Sequence, residues 1–260
     1  MTPLLIVTIL SIAAAAGLIG SFALMRRMTL AADSMSHIAL PGLGLAIVLH
    51  LNPFLGGLVA LLAGAVLIWI LESQTTLKTE TVIGLVFSTS LAVGALLFNT
   101  DLDLLEALFG NLQNIGAIEL WVSLGIAGGI VVALLVLKNR LVLSTLVPEI
   151  SATIGMNNRR INLMFIILFA LTLLIGLKFF GILLTGSLVI IPAAAAKNIA
   201  RNLRSDLLIS SGMAVLATAI GLVVSSYSGA GLGPCVVIAA ATLFAVSLFV
   251  GRLTRKSSAT

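Results

Sequence analysis

Leu4-Leu-Ile-Val-Thr-Ile-Leu-Ser-Ile-Ala-Ala-Ala-Ala-Gly-Leu-Ile-Gly-Ser-Phe-Ala-Leu-Met25-Arg26-Arg27 decides the fold. The run carries no charge until it ends on two arginines, and about 20 such residues in a helix cross the hydrocarbon core of a bilayer. Only Met1-Thr2-Pro3 stands ahead of it, without the basic region of a signal peptide, so it reads as a retained span with its N-terminus outside. Further runs of spanning length follow at 33–51, 54–72, 81–98, 119–137, 161–177, 181–197, 207–226 and 233–251. The fold predicted is therefore all-α: a polytopic transmembrane helical bundle of about nine spans, N-terminus outside and C-terminus cytoplasmic.

Composition agrees with that reading. The chain has 260 residues, 60% of them hydrophobic and 9% charged, with a mean hydropathy of +1.25. Soluble domains carry roughly a quarter charged residues. Aromatic residues are scarce while Gly and Ala abound, which suits helices that approach closely through small side chains.

Placement of the positive charges fixes the sides. With Arg26 and Arg27 in the cytoplasm, alternation puts Lys78, Lys138, Arg140, Arg159, Arg160, Lys197, Arg201, Arg204, Arg252, Arg255 and Lys256 there too, and only Lys178 outside. The net charge of +5 is thus a topology signal and no evidence for nucleic acid. Asp101-Leu-Asp103-Leu-Leu-Glu106 and Glu119 fall outside, either as solvated loop charges or as an anionic rim that concentrates cations.

Most connections are too short to hold a soluble domain, so residues 1–260 read as a single transmembrane domain. Two connections are longer. The outer one, Asn99 to Gly116, contains Leu104 to Leu112 and is expected to form a partial or interfacial helix. The cytoplasmic one, at about 138–160, contains Pro148-Glu149-Ile-Ser-Ala-Thr-Ile-Gly155, apolar at helical spacing behind an initiating proline. Such a helix either docks into a partner or lies on lipid headgroups.

Chemistry concentrates in Asp33-Ser-Met-Ser-His37-Ile-Ala-Leu-Pro41-Gly42-Leu-Gly44. An i, i+4 spacing puts the carboxylate and the imidazole on one helix face, where both can meet a small cation. Asp33 is the only acidic residue inside an expected span, and an ionisable group in lipid is costly unless it is used. The alternatives are an N-cap for Asp33, accepting from residues 35 and 36, and a neutral His37 satisfied by a carbonyl. Depth favours the cation: ten helical residues past Arg27 reach about 15 Å, the middle of a bilayer. Pro41 and Gly42 either free carbonyls and let the helix bend or permit tight packing, and Gly186 and Pro192 are read as hinge or packing positions of the same kind. A carboxylate with an imidazole and no thiolate suits zinc, manganese or iron(II).

Several activities lack their residues. No Gly-x-x-x-x-Gly-Lys-Ser/Thr loop is present to cradle nucleotide phosphates, so any ATP hydrolysis belongs to another chain. No His-Glu-x-x-His zinc motif occurs, His50 beside Asn52-Pro53 reads as a loop residue, and Cys235 is the only cysteine, a small buried hydrophobe. Two rivals remain: a proton-coupled secondary metal carrier with Asp33 and His37 as its relay, and an intramembrane hydrolase using Ser187 with His37.

Arg26-Arg27-Met28, the Asp33 to Gly42 block, Leu108-Phe-Gly-Asn111, Gly181-Ile-Leu-Leu-Thr-Gly-Ser-Leu-Val-Ile-Ile-Pro192-Ala-Ala-Ala and Gly233-Pro234 together resemble the permease subunit of zinc/manganese/iron ABC importers, from about residue 10 to 250. The resemblance implies a homodimeric permease in a prokaryotic cytoplasmic membrane, served by a cytoplasmic ATPase dimer and an extracytoplasmic metal-binding protein. The chain would then be a transport subunit, not an enzyme. It would hold no permanent cofactor, its Zn2+ (or Mn2+ or Fe2+) being cargo, with zinc slightly favoured. By position Asp33 and His37 match translocation-path ligands, and Asp103 matches an acidic position before the Leu-Phe-Gly block, with Glu106 beside it. Pro148, Glu149 and Gly155 lie in the stretch that resembles the ATPase-docking segment. Ala194, Ala195 and Ala196 depart from the pattern, since threonine is frequent there.

Overall fold

The apolar runs become helices that are stopped by identifiable caps. In the computed structural model, which describes residues 2–97 and 115–257, eleven α-helices and no strand occur among the described residues. They are α1 (Pro3–Met25), α2 (Thr29–His37), α3 (Leu40–Val48), α4 (Pro53–Gln74), α5 (Thr79–Leu97), α6 (Ala117–Leu146), α7 (Pro148–Thr153), α8 (Asn158–Phe180), α9 (Ile182–Ile199), α10 (Leu203–Ser228) and α11 (Leu232–Ser257). The outer helix expected between Asn99 and Gly116 falls almost wholly outside the described residues, and so do Asp103 and Glu106.

Thr2 and Asn52 accept hydrogen bonds from the first turns of α1 and α4, each ahead of a proline that starts the helix. Gly181, at φ 80°, turns the chain between α8 and α9. Asn202 and Ser205 form a capping box on α10.

Among the described residues eight segments are long and apolar enough to cross a membrane, counting Thr29–Val48 as one, and the shorter apolar helix Leu184–Ile199 occupies the place of the expected seventh span. About nine spans is therefore the right number. The expected limits move where polar residues continue a helix into the interface: α6 runs on to Leu146, and α4 and α5 close to within four residues of each other. At 30 residues α6 is about 45 Å long, more than a bilayer core needs.

Two spans form the centre. α1 and α8 are the most enclosed, and α1 packs on α6, α8, α9 and α10. Ser210 donates to the Gly17 carbonyl at 2.6 Å, and a Cβ on Gly17 would lie 2.6 Å from the Ser210 carbonyl oxygen, so α1 and α10 touch backbone to backbone.

Polar contacts mark the two ends of the bundle. At one, Arg26, Glu72 and Asn162 converge from α1, α4 and α8. At the other, Lys178 Nζ lies 2.6 Å from Glu119 and 5.4 Å from the Phe54 ring centroid. The single positive residue assigned outside thus meets an acid assigned outside.

Candidate functional site

The second span is not one helix. α2 ends at His37 and α3 begins at Leu40, so the break falls at Ile38–Ala39, halfway along Thr29–Val48. Pro41 has no N–H to give the His37 carbonyl, and Gly42 and Gly44 are poor helix formers. Pro41 sits instead in the first turn of α3, where its missing donor costs nothing.

Asp33 and His37 share the face of α2 that the chain leaves open. Asp33 is exposed and His37 half-buried, while Ala31, Ala32, Met35 and Ser36 turn inward. Asp33 lies inside α2, whose N-cap is Met28, so the capping alternative fails: the N–H groups of residues 35 and 36 fall within the helix, beyond its free first turn. Among the described residues nothing bonds or pairs with the Asp33 carboxylate. His37 Nδ1 lies 3.1 Å from the Asp33 backbone carbonyl, which can only accept. Nδ1 therefore donates in that bond, which leaves Nε2 for another partner. Phe87 of α5 meets the imidazole edge to face at 5.4 Å between centroids.

Three neighbours grip this broken span. Gly42 of α3 and Gly56 of α4 oppose each other so closely that a Cβ on either would strike the other's carbonyl oxygen. A Cβ on Gly94 of α5 would lie 2.8 Å from Leu40 Cβ. A Cβ on Gly186 of α9 would lie 2.9 Å from Asp33 Cα and 3.0 Å from its nitrogen, so α9 rests on the backbone that carries the carboxylate. Gly186 is thus a packing position. Pro192 stays inside a continuous α9 and makes no break.

Pro148 opens α7, which Gly155 ends in the left-handed region at φ 76°. Glu149 is exposed, and so are the large apolar side chains of Leu146, Val147, Ile150 (53%) and Ile154 (60%) around it. His50 stands in the turn after α3, as expected, and Cys235 is free and buried.

Two arrangements escaped sequence reasoning, which read Arg26 and Lys197 only for sidedness. One is the Arg26, Asn162 and Glu72 bridge. The other is Asp206, only 2% exposed in the first turn of α10, with Lys197 Nζ 3.1 Å from its Oδ2. The signal available was an acid or amide standing within a turn of a span end.

No group of three or more His, Cys, Asp and Glu converges among the described residues. One chain offers a passing cation a carboxylate and an imidazole, half of a usual ligand set for a transition metal.

Comparison with known proteins gives a consistent picture. A family model described as the ABC 3 transport family matches residues 1–251. The chain is 30% identical to the manganese import system permease protein ScaB of Streptococcus parasanguinis, over 97% of this chain and 91% of the relative. It is 36% identical to the high-affinity zinc uptake system membrane protein ZnuB of Haemophilus influenzae, over 89% of this chain and 90% of the relative. Among solved structures, PsaBC from Streptococcus pneumoniae in complex with Fab aligns at a TM-score of 0.82 and 27% identity, covering 94% of this chain and 90% of the other.

Proposed function

The chain belongs to the ABC 3 transport family, and on that premise we propose that it is the permease subunit of an ATP-driven importer that carries a divalent transition metal into the cytoplasm. It is a multi-pass protein of a prokaryotic cytoplasmic membrane. The cargo is zinc or manganese, since relatives of both names match the chain, with iron(II) within the same donor chemistry.

One observation carries the proposal: an unpaired carboxylate and an imidazole stand together on an open face of α2, just ahead of the break in a membrane span. A carboxylate left facing hydrocarbon is costly, so that face borders a polar conduit. A second copy of the chain across the conduit would complete the site with two carboxylates and two imidazoles. A set without thiolates holds the ion loosely enough to release it.

The remaining parts follow from this centre. An extracytoplasmic metal-binding protein delivers the ion to an outer mouth where Asp103 and Glu106 draw cations inward. ATP is hydrolysed by a separate cytoplasmic dimer that docks on the segment at about 138–160, where Pro148 starts α7, Gly155 ends it and Glu149 is flanked by exposed apolar side chains. The ion is cargo, and no resident cofactor enters the cycle.

The test is uptake of radioactive Zn2+ and Mn2+, ion by ion, in cells lacking their own importers. Asp33→Ala and His37→Ala should each abolish uptake while the protein stays at its usual level in the membrane. Normal uptake by the Asp33→Ala variant would refute the site. In vesicles, uptake that follows a proton gradient without ATP would favour a secondary carrier instead.

A further inference from the structure

The helix that carries Asp33 and His37 and the docking helix lie apart in the chain, yet a short run of side chains leads from the second to the joint just ahead of the first. Ser151 of α7 donates to Asn158 Oδ1 at 2.5 Å, and Asn158 Nδ2 donates back to the Pro148 carbonyl at 3.2 Å. α7 is thereby fastened to the first turn of α8. One turn further along α8, the amide of Asn162 bridges two opposite charges. Its Oδ1 accepts from Arg26 Nη1 at 2.6 Å, and its Nδ2 donates to Glu72 Oε2 at 2.6 Å. Thr79 fixes the other Glu72 oxygen at 2.6 Å, and the Arg26 guanidinium stacks 4.3 Å over the Phe165 ring centroid.

An amide suits the place between these partners. It must accept on one side and donate on the other, which neither a carboxylate nor an aliphatic group can do. Burial pushes the Arg26 guanidinium down to about 10, a pull that neighbouring Glu72 partly offsets, so the residue stays charged at neutral pH.

Arg26 also stands at the joint of α1 and α2. Arg27 N–H bonds the Leu24 carbonyl and Met28 N–H the Ala23 carbonyl, a Schellman turn with Arg27 at φ 59°. A non-glycine residue seldom occupies that region, so the joint is held by its surroundings. Five residues after Met28 comes Asp33. Beside the bridge, a cavity of about 550 Å³ lined by Arg26, Glu72, Asn162, Trp69, Ser144 and Pro148 gives these side chains room that a close-packed core would deny.

We propose that Arg26, Asn162 and Glu72 are positioning residues of transport: the bridge carries displacement of α7 through α8 to the joint at Arg26 to Met28, and so to the helix that holds Asp33 and His37. This rests on reading α7 as the ATPase-docking helix.

The test uses the full transporter, with the ATPase co-purified and reconstituted into vesicles, measuring Zn2+ taken up per ATP hydrolysed. Asn162→Leu should leave ATPase capture and turnover within about twofold and lower the uptake per ATP by roughly tenfold, the loss expected when a buried charge bridge is cut. Arg26→Lys, which keeps the charge and one donor, should recover part of that ratio, whereas Arg26→Gln should not. An unchanged ratio in Asn162→Leu overturns the proposal, as does a variant in which uptake and ATPase fall in proportion, because a merely structural bridge predicts that result. The docking premise fails separately: Ile150→Asp should lose ATPase capture, and capture at the wild-type level would reject that premise while leaving the Asn162 ratio to be read by itself.

Discussion

Two proline-bearing stretches of similar composition behave in opposite ways. In the second span Pro41 follows an interruption, and the helix restarts at Leu40; in α9 Pro192 lies inside eighteen residues of unbroken helix. Either proline deprives the carbonyl four residues earlier of its donor. The outcome depends on what surrounds them. Pro41 is followed by Gly42 and Gly44, and its span is held from outside by Gly56, Gly94 and Gly186. Pro192 is followed by four alanines, the best helix formers, three of them buried against neighbouring spans. Only the broken span carries a carboxylate. The lesson is that a proline marks a possible break, and neighbouring propensity and packing decide whether the break forms.

The largest effect is expected where two backbones meet. Gly42→Val puts a branched side chain onto the Gly56 carbonyl, with no flexible atom to yield, and should cost about 3 kcal/mol, the upper end for overpacked cores and a large share of a protein's total stability, so the yield of folded protein should drop. Size-exclusion profiles in detergent would show it. A well-folded Gly42→Val variant would mean that the break is not held by this contact.

Next come the prolines themselves. Pro41→Ala returns a donor to the His37 carbonyl and lets α2 and α3 fuse, which should reduce metal uptake by roughly tenfold with the protein still folded, an effect of about 1.4 kcal/mol on the transport-competent state. Pro192→Ala restores a bond in a helix that is already continuous, so uptake should stay within about twofold. Equal losses in the two variants would erase the distinction.

Legibility in the sequence follows the same division. The spans could be read directly, because lipid demands long apolar runs, and the Asp33 and His37 pair stood out because a carboxylate in such a run is conspicuous. The position of the break could not, since the glycines after Pro41 only weaken the helix there and the packing of Gly56 and Gly186 comes from other helices. Nor could the Arg26, Asn162 and Glu72 bridge, whose members lie far apart in the chain. Asp33 as a helix cap was a fair alternative until α2 proved to begin at Thr29.

Gly186→Ala tests the contact between the two stretches. Its Cβ would sit 2.9 Å from Asp33 Cα, so α2 must shift by a few tenths of an ångström, at a cost of about 1–3 kcal/mol. Because the shift acts on the carboxylate's own backbone, uptake should show a raised half-saturating Zn2+ concentration before it shows lost protein.

The smallest effect is expected one residue further on, at Ser187. Among the described residues its hydroxyl has no hydrogen-bond partner, and it is half-buried in the continuous helix. Ser187→Ala should therefore change stability by no more than about 0.5 kcal/mol and leave Zn2+ uptake unaltered. The result matters beyond its size, because Ser187 was the nucleophile of the hydrolase alternative and lies next to the glycine that touches Asp33. If its removal silenced the protein as Asp33→Ala should, α9 would carry chemistry of its own, and an unbroken apolar helix could no longer be contrasted with the broken one that holds the site.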